Sequence, residues 1–314
     1  MRQSLYWDDF EKRVAETVLA IQTGQPIPVR RVAVFITEHC NLKCDYCNHR
    51  PSPRSMSESI FQSILERYGH TAIIHITGGE PSTVPWLYPF LRANGEKYRF
   101  HLNTNAVVRP PVEAIKRLKV SLDSCDASYW DDLVHMRGAF SKVVANIKEA
   151  TGETVVSITC TLTKENYGRA VQFAKFVKDQ FPGLYALFFS IYKGTKKRFA
   201  FDQGDVEKFW DILPQLEQEL SPESLALLRE TMDEKRRLVQ DVRFPENDLS
   251  KPCYISMSER VFGPDGTESA CSHLYRDGVF SVDSKKCEKC LYGCNRRLVQ
   301  FNEEVQRLLL ASPS

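Results

Sequence analysis

The sequence predicts an α/β protein built on a parallel sheet covered by helices, and three observations carry that expectation. Strand-like and helix-like segments alternate through six units between residues 30 and 219. The connections between them are short, which favours parallel strands joined by right-handed crossovers. The composition, 42% hydrophobic and 26% charged over 314 residues, is that of a globular chain with one large domain or one plus a small partner. Right-handed crossovers leave either an open doubly wound sheet or a barrel, full or partial, and periodicity does not choose between them.

The elements follow in order. Phe10, Val14, Val18 and Ile21 recur at helical spacing, giving an amphipathic helix over 5–21 that ends before GQPIP. RRVAVFIT (30–37) reads as a buried strand, SESIFQSILERYG (57–69) as a helix, TAIIHIT (71–77) as a strand and WLYPFLRANG (86–95) as a weak helix. KYRFHLNTN (97–105) is a strand, PVEAIKRL (111–118) a helix opened by proline, and KVSLD (119–123) a strand. AFSKVVANIKEATG (139–152), a helix, precedes the strand TVVSITCTLT (154–163). YGRAVQFAKFVKDQF (167–181), a helix, precedes the strand YALFFSIYKG (185–194), and a further helix covers 204–219. SPESLALLRETMDEKRRLVQ (221–240) is expected to be helical and RFPENDLSKP to be a linker. GPDG (263–266) marks a hairpin turn and RRLVQFNEEVQRLLLA a closing amphipathic helix. The chain thus divides into an N-terminal helical segment (1–30), an α/β core (31–220), a helical linker (221–250) and a cysteine-rich module with its C-terminal helix (251–314).

Net charge is +2 with no basic tail, so nothing global argues for wrapping nucleic acid or docking on a membrane. No run of about 18 apolar residues occurs, and MRQSLYWDDFEKR has acidic and aromatic residues where a signal peptide carries its apolar stretch. A cytoplasmic protein is expected. The ten cysteines are uneven: three lie in 40–47 and five in 253–294, with Cys125 and Cys160 apart. In a reducing compartment such clusters more often bind metal or do redox chemistry than form disulfides.

Cys40, Cys44 and Cys47 follow the first strand directly, on the loop where α/β folds place their chemistry. A cubane iron–sulfur cluster needs one external ligand per iron, so three cysteines leave one iron open. A zinc site with an open position is the alternative, and His39 or His49 could close it. Cys253, Cys271, Cys287, Cys290 and Cys294 lie in a segment too short for a good hydrophobic core, so a metal is the natural staple there. Structural zinc is the alternative to a cluster.

C-x3-C-x2-C after the first strand, with Tyr46 just before the last cysteine, resembles the signature of radical S-adenosylmethionine (SAM) enzymes. The resemblance continues through TGGEP (77–81), NTN (103–105), VSLDS (120–124) and HMRGAFSKVVANI (135–147), and covers residues 31 to 195. It implies a partial (β/α)6 TIM barrel. It also implies a 4Fe-4S cluster on Cys40, Cys44 and Cys47 whose open iron is chelated by SAM, and reductive cleavage of SAM to a 5'-deoxyadenosyl radical that takes a hydrogen atom from substrate. By the family's pattern, backbone near Tyr46 reads the adenine edge. Gly78 and Gly79 let backbone approach the methionyl part, and Glu80 accepts from its ammonium group. Asn103, Ser121 or Asp123 reaches ribose or the carboxylate, and Arg137 is a candidate to pair that carboxylate. The plain alternatives are that Gly-Gly serves only the turn and that Asn103 and Asp123 cap the next elements. The alanine after NTN stands where the family usually carries glycine, so the turn there is expected to differ in shape.

Cys253, twelve residues, Gly266, four residues and Cys271 resemble the element that opens SPASM and twitch domains, the auxiliary-cluster modules of this family. A full SPASM domain has seven cysteines. Five imply a twitch-like domain holding one auxiliary 4Fe-4S cluster on four of Cys253, Cys271, Cys287, Cys290 and Cys294. His273 is read as a neighbour, Cys125 as a loop thiol and Cys160 as a strand hydrophobe.

An auxiliary cluster accepts the electron left on a substrate radical, which favours oxidative C–H functionalisation, either dehydrogenation or bond formation, in an oxidoreductase-type enzyme. The short segment before the first strand leaves no room for a winged peptide-recognition domain, so a small polar metabolite in a biosynthetic pathway is the first expectation and a ribosomally made peptide the second. A zinc-stapled nucleic-acid-binding protein is the third. A reduced flavodoxin or ferredoxin would supply the electron. YKGTKKRF (192–199) gathers four positive charges near the barrel mouth, to hold an anionic group or simply to be solvated. No catalytic base is singled out; Glu38, His49, His101, Tyr192 and Lys193 are the candidates.

Overall fold

The computed structural model describes residues 10–48, 52–192, 194–222, 224–225, 228–229, 253–272, 275 and 296–311. Helix α1 (Phe10–Gln22) leads into strands β1 (Arg31–Thr37), β2 (Ile73–Gly78), β3 (Arg99–Thr104), β4 (Arg117–Ser121), β5 (Val155–Leu162) and β6 (Ala186–Ile191). Helices α2 (Glu58–Tyr68), α3 (Leu87–Asn94), α4 (Ala127–Val134), α5 (Ala139–Ala150), α6 (Ala170–Gln180) and α7 (Gln203–Glu217) lie between and after them. Then come α8 (Tyr254–Ser258), β7 (Glu259–Phe262), β8 (Glu268–Ser269) and α9 (Arg296–Ala311).

The strand order is β6-β5-β4-β3-β2-β1-β7-β8, and every pair from β1 to β6 is parallel. A doubly wound sheet reverses its order at a switch point; this one does not, so the crossovers all wind the same way, as in a barrel wall. β6 and β8 form the two edges, so the wall is a partial barrel.

Alternation along each strand separates two faces. Val32, Val34 and Ile36 of β1, Ile74 and Ile76 of β2, Phe100 and Leu102 of β3, and Leu118 and Val120 of β4 are sealed against the helices, with Phe61, Leu65, Leu87, Leu91, Val143 and Ile147 among their partners. The other face looks into the barrel and is mixed, with Arg31, His75, Thr77, His101, Asn103, Arg117, Lys119, Ser157, Thr159 and Thr161 beside the apolar Ala33, Phe35, Ile73 and Phe188.

The C-terminal segment joins the same sheet. β7 pairs in parallel with β1, Arg31 opposite Glu259, and β8 returns antiparallel through the expected turn, closed by Gly263 N–H donating to Thr267 O at 2.9 Å. Cys253, ahead of α8, and Cys271, two residues past β8, therefore belong to the amino end of the sheet. Cys40, Cys44 and Cys47 belong to the carboxyl end. A satellite core ties the chain's two described ends together: Val14 and Val18 of α1 pack with Tyr254 and Ile255 of α8 and Phe301 and Val305 of α9.

Two local expectations are corrected. The helix expected over 111–118 is a single 3-10 turn at Val112–Ala114, because Arg117 and Leu118 already pair with His101 and Leu102. Burial in the ladder overrides local helical propensity. Helix α4 was not anticipated, although Asp126 caps it through Tyr129 N–H and Trp130, Leu133 and Val134 supply its buried stripe. Most of the helix expected over 221–240 and the linker after it lie outside the described residues.

His75 and His101 are buried on the inner face, and burial first, then nearby guanidinium groups, lower both pKa values, His101 to about 3. An imidazole whose folded pKa is depressed contributes stability that is complete above the unfolded value near 6.5 and lost as pH falls toward 3. His101 accounts for up to about 5 kcal/mol of that loss. In urea unfolding between pH 7 and 4, His101→Gln should flatten the acid limb of the stability curve; a curve parallel to that of the native sequence would contradict the assignment.

Candidate active site at the carboxyl ends of the strands

The loop after β1 carries the three cysteines, Cys40 and Cys44 half-buried and Cys47 exposed. They lie within electrostatic reach of one another: Cys47 raises the pKa of both Cys40 and Cys44, and Cys40 that of Cys44, after burial, the largest cause in each case. Burial thus favours the protonated form at Cys40 and Cys44, whose protons a metal would have to displace. Leu42 N–H donates to Cys40 Sγ at 3.5 Å, a contact that favours the thiolate.

Neighbours from five strand ends and one helix fix the loop. From β2, Gly79 N–H donates to Thr37 O and Glu80 N–H to His39 O, both at 2.7 Å. The approach is close enough that only glycine fits. Gly78 holds φ +139, and a Cβ on Gly79 would lie 2.1 Å from His39 O. From the end of β3, Asn105 Nδ2 donates to Asn41 Oδ1 at 2.8 Å. Past β4, Asp123 accepts from Tyr46 OH at 2.6 Å and, through its other oxygen, from Thr161 N–H of β5 at 2.6 Å. Helix α4 accepts through its last carbonyls, Val134 O from Lys43 N–H at 3.2 Å and Leu133 O from Asp45 N–H at 3.0 Å. His135, in the left-handed conformation that ends α4, pairs with Asp45 at 2.7 Å.

The sixth neighbour is the basic stretch past β6. Lys196 Nζ donates to Asp45 O at 2.6 Å and to Cys47 O at 3.1 Å, Arg198 pairs with Glu165 and lies 3.7 Å from Asp45, and Tyr192 OH donates to Asn48 Oδ1 at 2.8 Å. The sequence suggested either an anion-holding loop or a solvated one. In the structure Lys196, Lys197 and Arg198 are exposed, as the solvated reading expects, and Lys196 and Arg198 in addition strap the cysteine loop down.

The other sequence-derived site residues are placed as follows. Glu80 is 1% exposed and its carboxylate accepts from Thr104 Oγ1 at 2.6 Å, Asn105 N–H at 2.7 Å and Ser82 N–H at 3.0 Å. Burial raises its pKa and those hydrogen bonds oppose the rise. Asp123 is 3% exposed, and burial lifts its pKa to about 6 against the pull of Tyr46 OH and Thr161 N–H. Asn103 Oδ1 is buried with no hydrogen-bond partner on the inner face. Ser121 is exposed at the end of β4, and Arg137 is exposed between α4 and α5. Ala106 has a left-handed φ of +54, held by Thr104 Oγ1 on its N–H and Asn146 Nδ2 on its carbonyl. Of the candidate bases, Glu38 is clamped by Arg54, Tyr192 by Asn48, and His101 lies low in the barrel. His49 and Lys193 lie outside the described residues, as do His273, Cys287, Cys290 and Cys294.

These residues fit a three-thiolate cluster with a polar ligand beside it. Three clustered thiols sit on a braced loop, and an orphaned amide oxygen waits on the adjoining face. Among the described residues no three His, Cys, Asp or Glu side chains close on a single ion. A cluster that offers a separate iron to each cysteine does not require them to meet at a point. Asn41 and Thr161 were not identified from sequence, and Asn105 and Lys196 only as members of NTN and YKGTKKRF, because their role is to hold the loop across the fold.

Residues 34–177 match the model of the Radical SAM superfamily. A probable GTP 3',8-cyclase of Methanocella arvoryzae is 29% identical over 150 residues, 43% of this chain and 48% of that protein. An AdoMet-dependent heme synthase of Methanosarcina barkeri is 25% identical over 181 residues, 52% of each. The chain thus spans about half the length of the curated relatives it matches. The crystal structure of Streptococcus suis SuiB bound to precursor peptide SuiA superposes with a TM-score of 0.59 at 16% identity, covering 96% of this chain and 71% of that one, a likeness of fold. Residues 34–177 therefore carry the match to the Radical SAM superfamily, on the wall of a partial barrel.

Gly79→Ala should force the cysteine loop off the β2 turn. The expected loss is about 1–3 kcal/mol in denaturant unfolding, as for other overpacked sites, together with loss of iron from the loop in reconstituted protein. Unchanged stability and iron content would show that the close approach is not a constraint.

Proposed function

We propose, from the premise that residues 34–177 are a radical SAM domain, that this chain is an enzyme whose Cys40, Cys44 and Cys47 hold a SAM-binding 4Fe-4S cluster. Such a cluster, when reduced and carrying SAM, supplies a 5'-deoxyadenosyl radical that abstracts a substrate hydrogen atom. The chain's own residues keep the loop rigid and lined. Tyr46 is oriented by Asp123, and the buried carboxylate of Glu80 locks the turn that carries Gly78 and Gly79. Asn103, Ser121 and Arg137 remain the residues proposed to meet the nucleotide. The observation that carries this reading is the clustering of the three thiols on one braced loop at the barrel mouth.

The net reaction proposed is oxidative C–H functionalisation of a small polar metabolite. An auxiliary 4Fe-4S cluster on four of Cys253, Cys271, Cys287, Cys290 and Cys294, in a twitch-like module, would take up the electron left on the substrate. A flavodoxin or ferredoxin would be the donor. The attachment of Cys253 and Cys271 to the end of the sheet opposite the first three cysteines supports this division of labour. β1 alone spans about 20 Å, so the barrel interior lies between the two cysteine groups. The named relatives that act on a small molecule, a GTP cyclase and a heme synthase, favour a metabolite. The fold likeness to peptide-bound SuiB across 96% of the chain favours the second reading, a peptide maturase.

Anaerobically reconstituted protein should be brown, bind about eight irons and yield 5'-deoxyadenosine from SAM on reduction. Cys44→Ser should abolish that yield while retaining the irons of the second cluster. Deuterium from a labelled candidate metabolite, or from a labelled peptide, should appear in the 5'-deoxyadenosine and so decide the substrate class. Colourless protein with stoichiometric zinc would contradict the proposal.

A further inference from the structure

The cysteine loop reaches solvent at Cys47 and Asn48, and the surface around that point is cationic. Lys43 is exposed within the loop, and Lys196, Lys197 and Arg198 are exposed on the stretch past β6. Lys196 Nζ donates to the carbonyls of Asp45 and Cys47, at 2.6 and 3.1 Å, so the basic stretch lies against the exposed cysteine itself. Arg198 pairs with Glu165 and lies 3.7 Å from Asp45, which His135 also holds. Four cations thus stand against the two carboxylates they touch, and Asp132 and Arg137, both exposed at and just past the carboxyl end of α4, add no net charge. Among the described residues no hydrogen bond or ion pair engages the side chain of Lys43 or Lys197. The chain as a whole is nearly balanced, 42 basic against 40 acidic residues, so this excess is local.

The charges are also held in place. Phe199, 2% exposed, anchors the stretch from beneath, packing with Tyr192 and Leu133 in a small core. Tyr46 of the loop meets the Phe199 ring edge-on at 6.3 Å, and the Arg198 guanidinium lies 5.0 Å from its centre. Loop and stretch share one base, so Lys196 and Arg198 need little ordering when a partner docks on them.

This position narrows what the surface is for. A cluster on Cys40, Cys44 and Cys47 has to receive its electron from outside, and electron transfer falls off steeply with distance. A carrier seated on Lys197 and Arg198 stands against the loop, on the side where Cys47 meets solvent. A positive field gathers and orients acidic proteins, raising association rates by about 10- to 1,000-fold at low salt. A cationic carrier is repelled by the same field. We propose that Lys43, Lys196, Lys197 and Arg198 form the docking surface for an acidic one-electron carrier protein, which delivers its electron to the cluster on the cysteine loop. The carrier is oxidised by one electron and the cluster reduced by one; no bond forms or breaks in that step. The proposal deepens the radical SAM reading and rests on it for the cluster that receives the electron.

The test uses the full chain, reconstituted anaerobically, with an acidic flavodoxin as the probe. Stopped-flow absorbance follows cluster reduction by flavodoxin hydroquinone and, separately, by the methyl viologen radical, a small cation. Lys197→Glu should slow reduction by flavodoxin about tenfold and leave reduction by viologen no slower. Lys43→Glu should slow the flavodoxin reaction in the same direction. Raising salt from about 0.1 M to about 1 M, which shortens the Debye length from about 10 Å to about 3 Å, should erase most of the difference between native and variant rates. Equal flavodoxin rates in the native chain and both variants would overturn the proposal. So would an equal loss of rate with viologen, which would place the defect in the loop, or tighter binding of a single-stranded RNA oligonucleotide than of flavodoxin. Calorimetric titration with oxidised flavodoxin needs no cluster. Binding weakened by Lys197→Glu in protein that loads no cluster would support the surface and fault the radical SAM reading alone, whereas binding indifferent to Lys197 would overturn the surface whether or not a cluster forms.

Discussion

Two backbone hydrogen bonds, from Gly79 to Thr37 and from Glu80 to His39, fasten the cysteine loop to the sheet, and the rest of the site depends on them. They require the β2 turn to press flat on the loop, which a side chain at position 79 forbids. Once the turn is in place its own carboxylate is committed as well. Glu80 reaches down to Thr104 and Asn105, so the ends of β1, β2 and β3 become one unit. Burying that carboxylate is tolerable because three donors meet it.

The far side of the loop is held by different means. Tyr46, Asp123 and Thr161 form a buried chain from the loop to β5, while α4 and the Lys196–Arg198 strap grip it from outside. Lys196 has an electrostatic role besides its mechanical one. Its ammonium group touches the carbonyls of Asp45 and Cys47, so a positive charge stands at the loop that carries the three cysteines.

Most of the fold was legible because its signals are local. Alternating apolar runs and amphipathic helices marked all six strands of the wall to within a few residues, and the proline-glycine turn at 263–266 marked the terminal hairpin. The choice between open sheet and barrel was not legible in the periodicity, since it depends on strand order; the resemblance carried by the cysteine loop and the later motifs implied the partial barrel that the strand order bears out. Nor was the helix–strand boundary at Arg117, where ladder pairing prevailed over a helical pattern. The three cysteines and the TGGEP turn stood out by spacing. What the glycines press against did not, and the basic stretch with Lys196 and Arg198 was open between an anion-holding and a solvated loop because charge alone does not reveal its partner. Ala106 is another such case: a non-glycine residue takes the left-handed backbone where Thr104 and Asn146 hold it on both sides.

The central claim is that Cys40, Cys44 and Cys47 leave one iron for a ligand that is not protein. Electron–nuclear double resonance on the reduced full chain, with SAM carrying 15N in its amino group, reads that bond directly. The account predicts a nitrogen coupling to the cluster that disappears in Cys44→Ser. Stoichiometric SAM binding without any such coupling would contradict it.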